Sequence, residues 1–175
     1  AGLSPLPPFA PLALARPHAG IALLSAMGWR PGRPIVVLNP AGAFPSRNWP
    51  IQRYVEFAHF CMAGTGPETI FLALGLDRIA GKALVLKQAL GDQLVNLAGK
   101  TSLSEALALL KAATLVLSED SALMHMAWAC GIPTVALLGS TRADWACPAA
   151  ADHVVCLHSG DLPCGFCMEE TCRLG

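Results

Sequence analysis

Residues 118–125 read Ser-Glu-Asp-Ser-Ala-Leu-Met-His, setting two carboxylates, hydroxyls and an imidazole at the head of an apolar, alanine-rich segment. If a strand ends at Ser118 or Glu119, then Asp120 or Ser121 caps the following helix, and the amides of 121–124 point out of its N-terminus. Such an end carries roughly half a positive charge and is suited to an anion. Ser121 and His125 are four residues apart and share a face, whereas Leu123, Ala127 and Cys130 lie on another face that can pack on a sheet. Gly131 and Pro133 stop the helix. The same pattern equally suits an ordinary Asp or Ser cap with a buried, hydrogen-bonded histidine.

A second segment, LNPAGAFPSRNWP at 38–50, runs from an apolar strand into a loop where Gly42 and Ala43 have little or no side chain. Backbone amides there can approach a ligand closely. Arg47 is the fixed cation of the loop, and its guanidinium suits phosphate oxygens across the crevice from the helix N-terminus. The plainer alternative is a surface loop with Trp49 packed as a hydrophobic staple and Arg47 solvated. The loop is neither a Walker sequence nor a GxGxxG fingerprint, so neither a P-loop nucleotidase nor a dehydrogenase is supported. The tail, VVCLHSGDLPCGFCMEETC, brings Cys156, Cys164, Cys167 and Cys172 together with His158. Its spacing suits zinc or an iron–sulfur cluster, but a structural or idle role is preferred, and a disulfide within the CxxC is a third option.

These segments need a frame to hold them. The continuous apolar runs at 35–39, 69–75, 94–99, 115–119, 133–139 and 153–157 read as six buried strands. Helices fall between them. A short one ends at Gly28. The next opens at Pro50 with Tyr54, Phe57, Ala58 and Cys61 on one face. Another ends at Gly91, and a fourth opens on the capping box Ser102/Glu105 with a Leu103, Leu107, Leu110 stripe. This alternation predicts an α/β, doubly wound, mostly parallel six-stranded sheet of Rossmann-like type, with ligands beyond the carboxyl ends of its strands. Segments 40–49, 75–78 and 118–125 fall there. The expected divisions are a Pro/Leu-rich lead-in at 1–16, the α/β domain at 17–160 and a Cys-rich, truncated tail at 161–175.

Apolar residues make up 54% of the 175 and charged residues 14%, which supports a sizeable core and argues against disorder. A net charge of zero argues against a nucleic-acid partner bound through bulk positive charge. No apolar run reaches the roughly 18 residues a membrane helix needs, and no signal peptide is evident. Cys61 and Cys130 fit helical patterns as small core residues.

Taken together, the motifs resemble the C-terminal, nucleotide-sugar-binding half of the ADP-heptose:lipopolysaccharide heptosyltransferases, two-domain glycosyltransferases of GT-B architecture. The resemblance rests on Asn39-Pro40-Ala41-Gly42-Ala43 with Ser46-Arg47-Asn48-Trp49-Pro50, on Asn96 through Leu103, on Asp120-Ser121-Ala122-Leu123-Met124-His125, and on VALLGST. It implies an ADP-heptose donor without a required cofactor. Arg47 and Ser121, with the amides around Ala122 and Leu123, would hold the diphosphate. His125 and Asp120 would line the crevice, and Asp77 would take the ribose hydroxyls. Ala122 stands where the family has Gly, and Arg47 where it usually has Lys, so the sugar could differ from heptose.

The implied chemistry is inverting transfer. An acceptor hydroxyl on the lipopolysaccharide core, activated by a carboxylate of a missing N-terminal domain, attacks as ADP leaves. Arg47 and the helix dipole would stabilise the leaving group, and the chain has no Asp-x-Asp metal motif. A donor-binding fragment without turnover of its own, placed in the cytoplasm or at the inner membrane face, is therefore expected. The alternatives are a GT-B domain for another nucleotide sugar, a non-catalytic sugar-nucleotide-binding module, and a zinc- or cluster-bearing interaction domain.

Overall fold

The computed structural model of the protein describes residues 10–13, 19–66, 68–147 and 152–174. Most of the expected lead-in therefore lies outside the described residues. Six strands run in chain order as β1 (Ile35–Asn39), β2 (Ile70–Ala73), β3 (Leu94–Asn96), β4 (Leu115–Glu119), β5 (Thr134–Leu138) and β6 (Val154–His158). They form one sheet in the order β3-β2-β1-β4-β5-β6, and every neighbouring pair is parallel. Strand order thus reverses between β1 and β4, where Asn39 pairs with Ser118. Chains leaving β1 and β4 at that end diverge to opposite faces and open a crevice.

Alternation along the strands decides which face each side chain serves. Ile35, Val37 and Val116 face α1 (Ala19–Ala26), α4 (Leu103–Ala112) and α5 (Ala122–Ala129), packing with Leu24, Leu109 and Ala127. Val36, Leu38 and Leu117 face α2 (Ile51–Thr65) and α3 (Ala80–Leu90), packing with Tyr54, Ala58 and Leu86. β1 and β2 are buried along their whole length, as strands covered on both faces must be. A four-residue helix, α6 (Ala143–Ala146), lies between β5 and β6.

The doubly wound, parallel six-stranded expectation holds. Two details differ. β2 and β3 end earlier than their apolar runs, at Ala73 and Asn96, although the next amides, of Leu74 and Leu97, still donate to the Leu38 and Ala73 carbonyls and both side chains are buried. On α4 the buried face is Ala108, Leu109 and Leu110, whereas Leu103 is 67% exposed. The expected stripe fails at its first residue because Leu103 stands on the rim of the crevice.

Candidate functional site

The crevice is built by residues that end strands. Asn39, the last residue of β1, is buried; its Nδ2 donates to the Leu74 carbonyl (2.6 Å), and its Oδ1 accepts from Ser118 Oγ (3.0 Å) and Ser121 Oγ (2.8 Å). One side chain therefore ties together the ends of β1, β2 and β4. Ser121 is the N-cap of α5 and accepts from the Met124 amide. With that cap made, the Ala122 and Leu123 amides are left at the first turn without intrahelical partners. They border a cavity of about 200 Å³ whose walls include Leu76, Arg78, Thr101, Leu103 and Ser121. Leu76 is 71% exposed and stands with Leu103 as apolar rim on either side.

Glu119 faces the other way. The two-residue period that turns Ser118 toward α5 turns Glu119 toward loop 40–49. There it is 0% exposed and accepts from the Gly42 amide (2.5 Å) and the Trp49 amide (2.7 Å). Lys82 Nζ of α3 lies 3.6 Å from the same carboxylate and donates to the Pro40 carbonyl and Asn48 Oδ1, both at 2.9 Å. Burial above all, and then the Glu119 charge, pushes the Tyr54 phenol above its ordinary range. The loop thus does cradle an anion, but the anion is the chain's own carboxylate. The Gly42 amide, expected to approach a ligand, is occupied within the chain. Gly42 is glycine for a steric reason: a Cβ there would lie 2.5 Å from the Arg47 carbonyl oxygen.

Arg47 is also engaged. Its Nη1 donates to Asp120 Oδ2 (3.1 Å), which accepts from Thr141 Oγ1 as well (2.7 Å), and its guanidinium lies 5.0 Å from the Phe44 ring. It borders a second cavity, of about 300 Å³, with Trp49, Leu137 and His158. Ser46 beside it is held by the tail and by the β5 exit. Its amide donates to the Glu170 carbonyl (3.2 Å), its hydroxyl donates to the Glu169 carbonyl, and its carbonyl accepts from the Ser140 amide (3.3 Å). Trp49 packs edge-on to Tyr54 at 5.2 Å, so the staple reading of Trp49 holds while the solvated reading of Arg47 does not.

The structure brings Ser121, Ala122 and Leu123 to one cavity and joins Arg47 to Asp120. Ala43 is exposed on its loop, and Asp77 is exposed in a 3-10 turn against Gly99. His125 is exposed on α5 and is not among the residues lining the cavity, which also sets aside the buried-histidine alternative. The tail cysteines do not form the metal-binding set that their spacing would suit. Cys156 is disulfide-bonded to Cys147 across a Cα separation of 6.2 Å, so it is no metal ligand here, and Cys164, Cys167 and Cys172 are free and exposed. Among the described residues no group of three or more His, Cys, Asp or Glu is placed to hold a metal ion. The CxxC disulfide is likewise not formed. Lys82 escaped the sequence reading, whereas Asn39, Arg78, Glu119 and Thr141 fell within the segments singled out there without being given a role. A polar residue closing an otherwise apolar strand was the available signal for Asn39 and Glu119.

Residues 12–175 match the model of glycosyltransferase family 9 (heptosyltransferase). The lipooligosaccharide heptosyltransferase 2 of Haemophilus influenzae is 36% identical over 121 residues, 66% of this chain and 34% of that one. The lipopolysaccharide heptosyltransferase 2 of Escherichia coli is 32% identical over 119 residues, again 66% and 34%. The solved structure of the E. coli ADP-heptose lipopolysaccharide heptosyltransferase II superposes with a TM-score of 0.72 at 23% identity, covering 85% of this chain and 45% of that one. The chain therefore belongs to glycosyltransferase family 9, the heptosyltransferases, and has their Rossmann-like fold. It spans about a third of the length of those two relatives.

Proposed function

We propose that this chain is the donor-binding domain of a heptosyltransferase that takes an ADP-sugar in the crevice between β1 and β4 and serves lipopolysaccharide core assembly. The observation that carries the reading is the 200 Å³ cavity at the strand-order reversal, where the open amides of Ala122 and Leu123 meet an apolar rim. A nucleotide has the matching composition. Its diphosphate suits the α5 N-terminus, and its base suits the space between Leu76 and Leu103. The ribose hydroxyls are assigned to Asp77, which lies in sequence between the lining residues Leu76 and Arg78. The sugar is assigned to the side of the Arg47–Asp120 pair, whereas His125 lies outside the cavity lining. Family membership and the names of the relatives support ADP-heptose as the donor.

Transfer then proceeds with inversion. An acceptor hydroxyl of the lipopolysaccharide core, deprotonated by a carboxylate supplied from outside this chain, forms the new bond to the anomeric carbon. The bond to ADP breaks on the opposite face, and the helix N-terminus stabilises the departing diphosphate. The chain alone is expected to bind donor without turning it over.

Amide chemical-shift mapping with ADP tests the placement. Shifts concentrated in 75–78, 99–103 and 120–125 are expected. Shifts concentrated in the cysteine tail would reject the crevice.

A further inference from the structure

Cations near a diphosphate site differ in whether they are free to act. Arg47 is paired with Asp120 at 3.1 Å and borders the second cavity, with Trp49 and Leu137, instead of the one at the α5 N-terminus. Lys82 is paired with Glu119 at 3.6 Å and holds the Pro40 carbonyl behind loop 40–49. Arg78 is different. It belongs to the 3-10 turn that follows β2, it is exposed, and it has no carboxylate partner among the described residues. Its Nη2 donates to the Ala41 carbonyl (2.9 Å), which fixes the side chain across the mouth of the crevice and leaves the other guanidinium donors available. It also lines the same cavity as Ser121, Ala122 and Leu123.

From this geometry we propose that Arg78 is the phosphate-contacting cation of the crevice and a determinant of its selectivity for a nucleoside diphosphate over a nucleoside. The assignment rests on the donor-site reading above. A guanidinium with free donors beside open helix amides forms a charge-assisted cradle for phosphate oxygens. A paired guanidinium such as that of Arg47 would first have to give up Asp120. Arg78 also reaches the loop through Ala41, so phosphate binding on one side of the crevice is linked to the position of the loop on the other.

The experiment compares the 175-residue chain with its Arg78→Gln and Arg78→Lys variants, titrating each with ADP and with adenosine at constant salt. Arg78→Gln should bind ADP at least about tenfold more weakly, with adenosine affinity unchanged, and Arg78→Lys, which keeps the charge, should lose less than Arg78→Gln. ADP affinity unchanged in Arg78→Gln would overturn the assignment. So would equal weakening of ADP and adenosine, which would make Arg78 a support for the loop alone. A wild-type chain that binds no ADP would overturn the donor-site reading itself, and this assignment with it, so the two failures are distinguishable.

Discussion

Asn39 and Glu119 close adjacent parallel strands, yet their side chains organise opposite walls of the crevice because Glu119 lies one residue beyond Ser118, the registered partner of Asn39. Glu119 is the more consequential of the two. It is a fully buried carboxylate that holds both ends of loop 40–49, at Gly42 and Trp49, with Lys82 as counter-ion. Glu119→Gln should destabilise the chain by roughly 2–3 kcal/mol, because one amide then faces an NH2 group and Lys82 loses its partner. Urea unfolding measures this, and a change within about 0.5 kcal/mol, as for an ordinary surface substitution, would contradict the described role. At this scale the sequence was least legible. Each key contact joins residues 70 to 82 positions apart, and no local pattern marks which apolar strand ends in an inward-facing polar residue.

Elements were more legible, because periodicity and caps are local. All six strands and the capping box at Ser102 could be read directly, and Glu105 and Ser102 do exchange hydrogen bonds. Leu103 misled the reading of α4 because an exposed apolar residue at the rim of the crevice and a core stripe have the same apolar spacing in sequence. The cap has a pH signature. Glu105 is held below its ordinary value of 4.5, first by the Ser102 amide and then by the Ser102 hydroxyl. A carboxyl lowered in the folded state stabilises it fully above that ordinary value, and the contribution is lost as pH falls through the lowered one. The stability gap between wild type and Glu105→Gln should accordingly close on acidification, as followed by urea midpoints from neutral pH downward. A gap that stayed constant would assign the effect to the hydrogen-bond geometry alone.

Across the molecule, the sheet is asymmetric. Its β3–β1 side is covered by full-length helices, whereas β5 and β6 are joined through the short α6 and the Cys147–Cys156 disulfide. That cross-link spans nine residues, and loop-closure entropy puts its contribution at about 2.5 kcal/mol. Cys147→Ser/Cys156→Ser should therefore unfold at lower temperature than the oxidised parent, and a reducing agent should remove most of the difference. An unaltered midpoint would mean that the bond adds nothing to the fold. The tail beyond β6 also contributes to the site's surroundings, since Met168 and Glu170 hydrogen-bond to Ser140 and Ser46 beside Thr141 and Arg47. The sequence marked its cysteines but not this docking, because the bonds are made by backbone groups that carry no residue signature.

An ADP-sugar site in the β1/β4 crevice, as proposed above, should prefer an adenine nucleotide to a pyrimidine one. Calorimetric titration of the 175-residue chain with ADP, UDP and CMP, with and without EDTA, tests it most directly. Saturable binding of ADP in preference to the two pyrimidine nucleotides, unaffected by EDTA, is the expected result. Heats no larger for ADP than for UDP or CMP would contradict it and leave the α5 N-terminus as a well-capped helix end.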